Sequence, residues 1–423
     1  MNLRKLSRNH FWMVLLGIVV GISSGAVVSA FRWLVQVMFT GLKYLYIACR
    51  TNLNLIWVIL LINVALAVVI GKIINNFSAV SGSGIPQIEA ELTDRKWYYW
   101  WPVLWRKFIT STLTVGSGVF MGHEGPSIQL GGSVAQGVAS MTHQNHERTK
   151  LMIAGGAAAG LTAVFNTPLA SSLFVLETVY HGFSTMVWLI TLSAAVASDL
   201  VSMSIFGKLP LLYVPRVRAI PLDLFPQLII MGIIIGFLGF GYKVVTLNSS
   251  KVYRFHKLPG WTKPIIPLLF MIPIGIIWPQ LIGTGSGLIH LVVKTSFPFL
   301  VIAGYFIIRL IGSSLAFGSG LPGGIFLPIL TFGALTGAGY ARILIDLNGM
   351  SPVYLASFVA VAMAGYFACV TKSPLTSILL ITEMIGTLHH LAALSLVVVV
   401  AYVVDDLLDG RPIYDTLLDR LLS

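Results

Sequence analysis

The chain consists mainly of long apolar stretches separated by short polar connections. A helix needs about 20 mostly apolar residues to cross the hydrocarbon core of a bilayer. Uncharged stretches of about that length or more cover residues 11–31, 51–71, 151–176, 178–198, 224–242, 264–293, 310–341, 347–371 and 384–404. Several of them exceed one span and contain Gly, Pro or Ser clusters, which is typical of paired or broken helices. The pattern predicts an all-α polytopic membrane protein with more than ten helices.

The composition excludes several protein classes. Hydrophobic residues make up 56% of the 423 residues. Charged residues make up only 10%, against roughly 25% in soluble proteins. A soluble enzyme, a disulfide scaffold and a disordered chain are therefore excluded. The two cysteines, Cys49 and Cys369, say nothing about the redox compartment.

The net charge of +12 comes from basic residues in short connections, for example Arg95, Lys96, Arg106 and Lys107. Basic connections usually reflect membrane topology and lipid headgroups. We therefore expect membrane lipid, and no nucleic acid, as a partner. Three further basic residues precede the first apolar stretch: Arg4, Lys5 and Arg8. No small-residue cleavage site follows them, which predicts an uncleaved first span and a cytoplasmic N-terminus.

Short motifs recur at an offset close to half the chain length. At offsets of 202 to 206, the matches are Gly82-Ser83-Gly84-Ile85 with Gly285-Ser286-Gly287-Leu288, Gly116-Ser117-Gly118 with Gly318-Ser319-Gly320, Ala159-Gly160 with Ala364-Gly365, and Pro168-Leu169 and Glu177 with Pro374-Leu375 and Glu383. They indicate a single transmembrane domain, 1–423, built of two related halves of approximately 10–205 and 220–410. Such halves are typical of transport folds that bind substrate between them. The repeats alone leave open whether the halves are inverted or parallel.

Three segments combine glycines with a proline just before an apolar run: 82–86, 122–126 and 323–328. Proline suits the first turn of a helix, and glycine lets the backbone approach a ligand closely. A helix that begins inside the membrane directs unpaired N–H groups and a positive dipole end at the midplane. Three such helix starts would bind an anion without a basic side chain.

Glu124 is an isolated carboxylate at one of these helix starts, in a stretch of residues 108–142 that is nearly free of charge. An ionisable residue at membrane depth indicates a functional site. The carboxylate can act as a tethered anion that competes with a transported ion when ionised and leaves when protonated. The alternative is an ordinary carboxylate at an interfacial helix start.

In this order, Gly-Ser-Gly-Ile-Pro, Gly-x-Glu-Gly-Pro, Gly-x-Phe-x-Pro and a late tyrosine resemble the motifs of the CLC chloride channels and transporters. The resemblance implies an inverted-repeat helical bundle, a homodimer with one pore per subunit, and an external gate at Glu124. It also implies a central anion held by the hydroxyls of Ser83 and Tyr414. Backbone N–H groups would line the path at Gly125, Ile325 and Phe326. The chain stops at Ser423, so we expect it to lack the cytosolic regulatory domains of some family members.

Two positions depart from the family pattern. His123 replaces the usual Arg or Lys beside the gate, so it can modulate pH dependence or remain a neutral, hydrogen-bonded histidine. Thr178 replaces the second of two glutamates, which is the internal proton acceptor of proton-coupled members. A threonine can relay a proton only through its hydroxyl or water. Glu177 matches the first glutamate, where it is a possible modulator or a structural acceptor of backbone N–H groups.

These features predict chloride transport, with Cl⁻/H⁺ exchange favoured over an uncoupled chloride channel. A fluoride-selective relative is disfavoured by Ser83. A membrane-embedded enzyme would need a second catalytic group or a metal-ligand cluster at depth, and the sequence offers neither. We therefore expect no enzymatic activity, catalytic residue, metal or cofactor. The expected partners are chloride, nitrate or bromide, protons, lipid and a second copy of the chain. The expected location is a bacterial inner membrane.

Overall fold

The computed structural model describes residues 3–214, 217–255 and 259–422. The regular structure of these ranges is helical, apart from one isolated antiparallel bridge between Gly122 and Gly324. The α-helices are α1 (Leu3–Ala48), α2 (Leu55–Asn76), α3 (Ile85–Leu92), α4 (Trp100–Gly116), α5 (Glu124–Met141), α6 (His146–Phe165), α7 (Pro168–Phe174), α8 (Thr185–Phe206), α9 (Phe225–Asn248), α10 (Ser250–Phe255), α11 (Ile265–Ile277), α12 (Ser286–Lys294), α13 (Phe299–Gly318), α14 (Phe326–Asn348), α15 (Leu355–Thr371), α16 (Pro374–Ile385), α17 (Leu391–Leu407) and α18 (Ile413–Leu422).

In these ranges, eight helical segments are long and apolar enough to cross a membrane. Shorter helices such as α3, α7 and α12 lie among them. Helices α5, α6, α14 and α15 are buried along most of their length, and they form the centre of the bundle. The fold class predicted from the sequence is confirmed, and the chain is a multi-pass integral membrane protein.

The first helix is longer than the uncharged stretch at 11–31 predicts. Helix α1 continues past Arg32 to Ala48. The guanidinium of Arg32 donates to the carbonyl of Ala163 at 3.0 Å and stacks on the ring of Phe206, so its charge is satisfied inside the bundle. The side chains of Arg4, Lys5 and Arg8, on which the predicted orientation rests, lie outside the described residues.

The predicted breaks in the longer apolar stretches are present. Residues 310–341 divide between α13 and α14 at residues 319–325. Helices α6 and α15 end at matching residues with left-handed backbone, Asn166 and Lys372, and a proline begins the next helix two residues later. Proline cannot continue the preceding hydrogen-bond ladder, so the chain turns at both places.

The two halves exchange equivalent hydrogen bonds. The carboxylate of Glu177 accepts the N–H groups of Leu375 and Thr376 at the start of α16. The carboxylate of Glu383 accepts those of Leu169 and Ala170 at the start of α7. The same contact thus occurs twice, with the roles of the two segments interchanged.

Candidate functional site

The starts of α3, α5 and α14 converge at the centre of the bundle, as the glycine and proline pattern predicts. Gly122 and Gly324 exchange backbone hydrogen bonds of 2.8 and 2.7 Å, which join the segments before α5 and α14. A Cβ atom on Gly125 would overlap the hydroxyl and carbonyl oxygens of Ser83, which precedes α3. Glycine at these positions therefore permits a contact that a larger residue would prevent.

The carboxylate of Glu124 lies at the start of α14 and is completely buried. Its Oε1 accepts the backbone N–H of Leu327 at 2.7 Å. Oε2 has no hydrogen-bond partner among the described residues. Cβ atoms on Gly122 or Gly324 would overlap this carboxylate, so it lies directly against the glycine bridge. A negative side chain thus occupies a helix N-terminus, where backbone N–H groups favour anions.

Two buried hydroxyls near these helix starts lack a protein partner. Ser83 is 3% exposed and Tyr414 is 0% exposed. Neither the Oγ of Ser83 nor the Oη of Tyr414 has a hydrogen-bond partner within the described ranges. A buried hydroxyl left unsatisfied costs about 1–3 kcal/mol. Both groups are therefore fitted to donate to a small acceptor such as an anion.

Tyr414 belongs to an aromatic cluster that also holds the start of α14. Its ring contacts that of Phe174 edge to face, with centroids 6.0 Å apart. The ring of Phe326 packs on those of Phe174 and Phe367, at 5.5 and 4.4 Å. Ile325 and Phe326 are both buried at the first turn of α14, where backbone N–H groups have no intrahelical acceptor. The predicted anion-site residues thus lie on, or just before, α3, α5, α14 and α18, with α3 packed against α5 and α18, and α5 against α14.

His123 lies beside a cavity of about 270 Å³ that is also lined by Arg32, Gln36, Thr284 and Ser286. The imidazole is 6% exposed, and its Nδ1 has no partner within the described part of the chain. Arg32 brings a guanidinium to the same cavity. A basic group therefore lies next to the Glu124 segment although position 123 itself is a histidine.

Thr178 is buried in a π-helical turn, Val175–Val179, that extends α7. Its hydroxyl is 2.5 Å from the hydroxyl of Ser373, and either oxygen can donate. The neighbouring Glu177 accepts backbone N–H groups, which is the structural alternative considered for it. The hydroxyls of Thr178 and Ser373 therefore form a polar pair at a position that carries no carboxylate.

Two basic residues that the sequence placed in a connection between spans, Arg106 and Lys107, lie inside α4 instead. Lys107 is also 0% exposed. Its Nζ donates to the carbonyls of Val80 and Gly82, at 3.1 and 2.8 Å, in the segment before Ser83. This contact holds the amino group of Lys107 next to the start of α3.

Arg309 is the counterpart of Lys107 in the second half. It is 0% exposed and donates to the carbonyls of Leu281 and Gly283, before α12. The two basic residues are 202 residues apart, which is the offset between the Gly116 and Gly318 motifs. That repeat register is the sequence signal that would have identified the pair.

Sequence comparisons match this chain to one protein family and to named relatives. The model of the family described as "Voltage gated chloride channel" matches residues 66–406. The H(+)/Cl(-) exchange transporter ClcA of Vibrio campbellii is 30% identical over 422 residues, which cover 98% of this chain and 90% of that protein. ClcA of Salmonella arizonae is also 30% identical, over 97% of this chain and 89% of that protein.

This chain is also similar in structure to solved transporters. The crystal structure of a slow cyanobacterial Cl-/H+ antiporter has a TM-score of 0.90 and 28% identity, and the match covers 97% of this chain and 98% of that chain. A CLC-type fluoride/proton antiporter shares the fold. Its structure matches with a TM-score of 0.76 and 21% identity, over 96% of this chain and 97% of that chain. The extent of the family match shows that this chain belongs to the voltage gated chloride channel family, the CLC proteins.

Proposed function

We propose that this protein exchanges chloride for protons across the membrane. Its curated relatives in Vibrio campbellii and Salmonella arizonae are named as H(+)/Cl(-) exchange transporters. The observation that carries the proposal is the carboxylate of Glu124, which accepts the N–H of Leu327 at a helix start. A chloride ion and an ionised carboxylate compete for such a site, whereas a protonated carboxyl binds there more weakly.

The proposed cycle assigns a separate role to each group. Ser83 and Tyr414 donate their hydroxyls to the central chloride. The N–H groups of Gly125, Ile325 and Phe326 stabilise chloride along the path without a full positive charge, so the ion can leave. Glu124 occupies the path when ionised, and it swings away with a proton when chloride takes its place. Each exchange of chloride for the carboxylate therefore couples to one protonation event.

The proposal extends to the wider setting of the protein. Nitrate and bromide are proposed as further substrates, because hydroxyl and backbone donors recognise charge more than ion size. Residues 10–205 and 220–410 are proposed as inverted halves of one domain. The protein is proposed to be a homodimer, without enzymatic activity, cofactor or metal. We also propose a bacterial inner membrane, contact with its lipid and a cytoplasmic N-terminus.

An uncoupled chloride channel is the second candidate function. Thr178 favours it, because a threonine supplies no titratable group on the proton path. The reversal potential under a pH gradient distinguishes the two functions. A shift with pH indicates exchange, whereas a value fixed at the chloride equilibrium potential indicates a channel.

The test uses purified protein in liposomes, with chloride and proton movement recorded together. In the wild type, we expect an outward chloride gradient to drive proton uptake. Glu124→Gln mimics the protonated side chain, so chloride flux should persist while proton uptake disappears. Glu91→Gln is the matched control, because Glu91 is also a buried glutamate but accepts the N–H of Tyr98. Proton uptake that survives in Glu124→Gln would overturn the role of Glu124.

A further inference from the structure

Three titratable side chains from distant parts of the chain meet at the edge of the bundle. The Nε2 of His181 lies 3.1 Å from Oε1 of Glu89 and 3.9 Å from Oδ1 of Asp415. One ligand or donor atom of each residue lies within 4.8 Å of the others. His181 and Glu89 can pass a proton directly because they are at hydrogen-bond distance, whereas Asp415 acts on the imidazole through its charge from 3.9 Å.

Burial within this cluster changes from solvent to interior. The side chains of His181 and Asp415 are 41% and 43% exposed, whereas that of Glu89 is 3% exposed. The Oε2 of Glu89 has no hydrogen-bond partner among the described residues. The cluster therefore has two groups that reach water and one that directs an unsatisfied oxygen into the protein.

The same three elements carry residues of the central site. Asp415 follows Tyr414 directly on α18, and Glu89 lies one turn after Ile85 on α3, the helix that begins after Ser83. His181 follows Thr178 by three residues, after the π-helical turn. The cluster is therefore next to the position where Thr178 provides no carboxylate.

Charged neighbours indicate which side of the membrane the cluster faces. The segment after α3 carries Arg95 and Lys96, and that after α5 leads to Arg148 and Lys150. Basic connections favour the cytoplasmic side. Arg95 also lies 3.8 Å from Asp419, one turn beyond Asp415. The charged groups that act on the cluster from neighbouring elements are thus Arg95 and Asp419.

We propose that Glu89, His181 and Asp415 form the cytoplasmic proton-loading site, which supplies the titratable group that Thr178 lacks. The inference rests on the proposed exchange function. Protonated His181 donates its Nε2 proton to Oε1 of Glu89, which leaves a neutral imidazole and a neutral carboxylic acid. A proton from the cytoplasm, carried by water, then protonates the imidazole again. The neutral acid releases the proton toward Glu124 through water or the hydroxyl pair at Thr178, and becomes a carboxylate again.

The acid–base chemistry of His181 suits this proton transfer to Glu89. Histidine changes charge near neutral pH. The hydrogen bond to Glu89 raises the pKa of His181 above its ordinary value. Asp415 stabilises the same imidazolium from the solvent side. The exposed pair therefore collects a proton at cytoplasmic pH, and the buried carboxylate receives it.

The test compares His181→Gln with His146→Gln in liposomes. His146 is a matched control because it lies 2.7 Å from Asp94, is exposed and belongs to another acidic cluster. With His181→Gln, we expect proton uptake per chloride to fall by roughly tenfold or more. Chloride flux should stay within about twofold of the wild type, and the dependence of proton uptake on internal pH near the histidine range should disappear. His146→Gln should retain wild-type values.

Several outcomes would overturn the inference. Wild-type coupling and pH dependence in His181→Gln would exclude the cluster, as would an equal loss in His146→Gln. A change in wild-type proton uptake on adding EDTA would indicate that a metal ion holds the three residues instead. Asp415→Asn is a second variant, and we expect a partial loss of proton uptake, because it removes only the outer carboxylate. If the wild type moves no protons, the exchange function itself is refuted. If the wild type is coupled and His181→Gln is unaffected, only the role of the cluster is refuted.

Discussion

Gly122→Ala adds one methyl group at the place where the Glu124 carboxylate lies. The three atoms nearest to a Cβ at this glycine all belong to the carboxylate of Glu124, and the new Cβ would overlap all three of them. No backbone atom is among them, and the glycine is not among the residues with left-handed backbone. The new methyl group can therefore be accommodated if the flexible side chain of Glu124 moves.

The expected magnitude follows from the contact that is lost. The carboxylate gives up the hydrogen bond from the N–H of Leu327, which is 2.7 Å long. A hydrogen bond to a charged group is worth about 1.5–3 kcal/mol. At 1.4 kcal/mol per factor of ten, the displaced form of Glu124 should gain about 10- to 150-fold over the bound form.

Chloride flux into liposomes, measured from acid to neutral pH, tests this reasoning. Protonation releases the wild-type carboxyl in acid, so its flux should fall as pH rises. Gly122→Ala should keep its flux at neutral pH, and it should move fewer protons per chloride. Gly241→Ala is the control, because a Cβ there meets no heavy atom within 4 Å. A wild-type pH profile and coupling ratio in Gly122→Ala would show that this carboxylate position does not control the path.

Further predictions concern groups around the site. Lys107→Met should weaken equilibrium chloride binding, measured by calorimetry, by about tenfold, because it removes the hydrogen bonds that hold the segment before Ser83, each worth about 0.5–1.5 kcal/mol. Thr178→Val should reduce proton uptake per chloride while chloride flux continues, since it removes the hydroxyl pair with Ser373. Glu177→Gln should lower the free energy of unfolding by about 1–2 kcal/mol in detergent melts, because it weakens the cap of α16. A hydrogen bond from Lys150 lowers the pKa of Asp94, so the stabilisation that Asp94 provides is present above about pH 4 and is lost as pH falls further. Melting curves of Asp94→Asn should therefore approach those of the wild type in acid.

The sequence alone determined the helical membrane fold and the positions of the central helix starts. Apolar length predicts spans because unpaired backbone groups are costly in a bilayer. Glycine before a proline predicts where α3, α5 and α14 begin, because both residues act on the local backbone. The lone carboxylate of Glu124 could be identified for the same reason, since its neighbours in sequence are uncharged.

The tertiary structure decided which distant groups meet. The sequence placed Lys107 in a basic connection because its partners, the carbonyls of Val80 and Gly82, lie 27 and 25 residues earlier in the chain. The cluster of Glu89, His181 and Asp415 leaves no local pattern, because each residue comes from a different element. Only the packing of α3 against α18 and against the π-helical turn brings those groups within 4.8 Å of one another. Local sequence sets where a helix begins, whereas long-range packing sets what its side chains face.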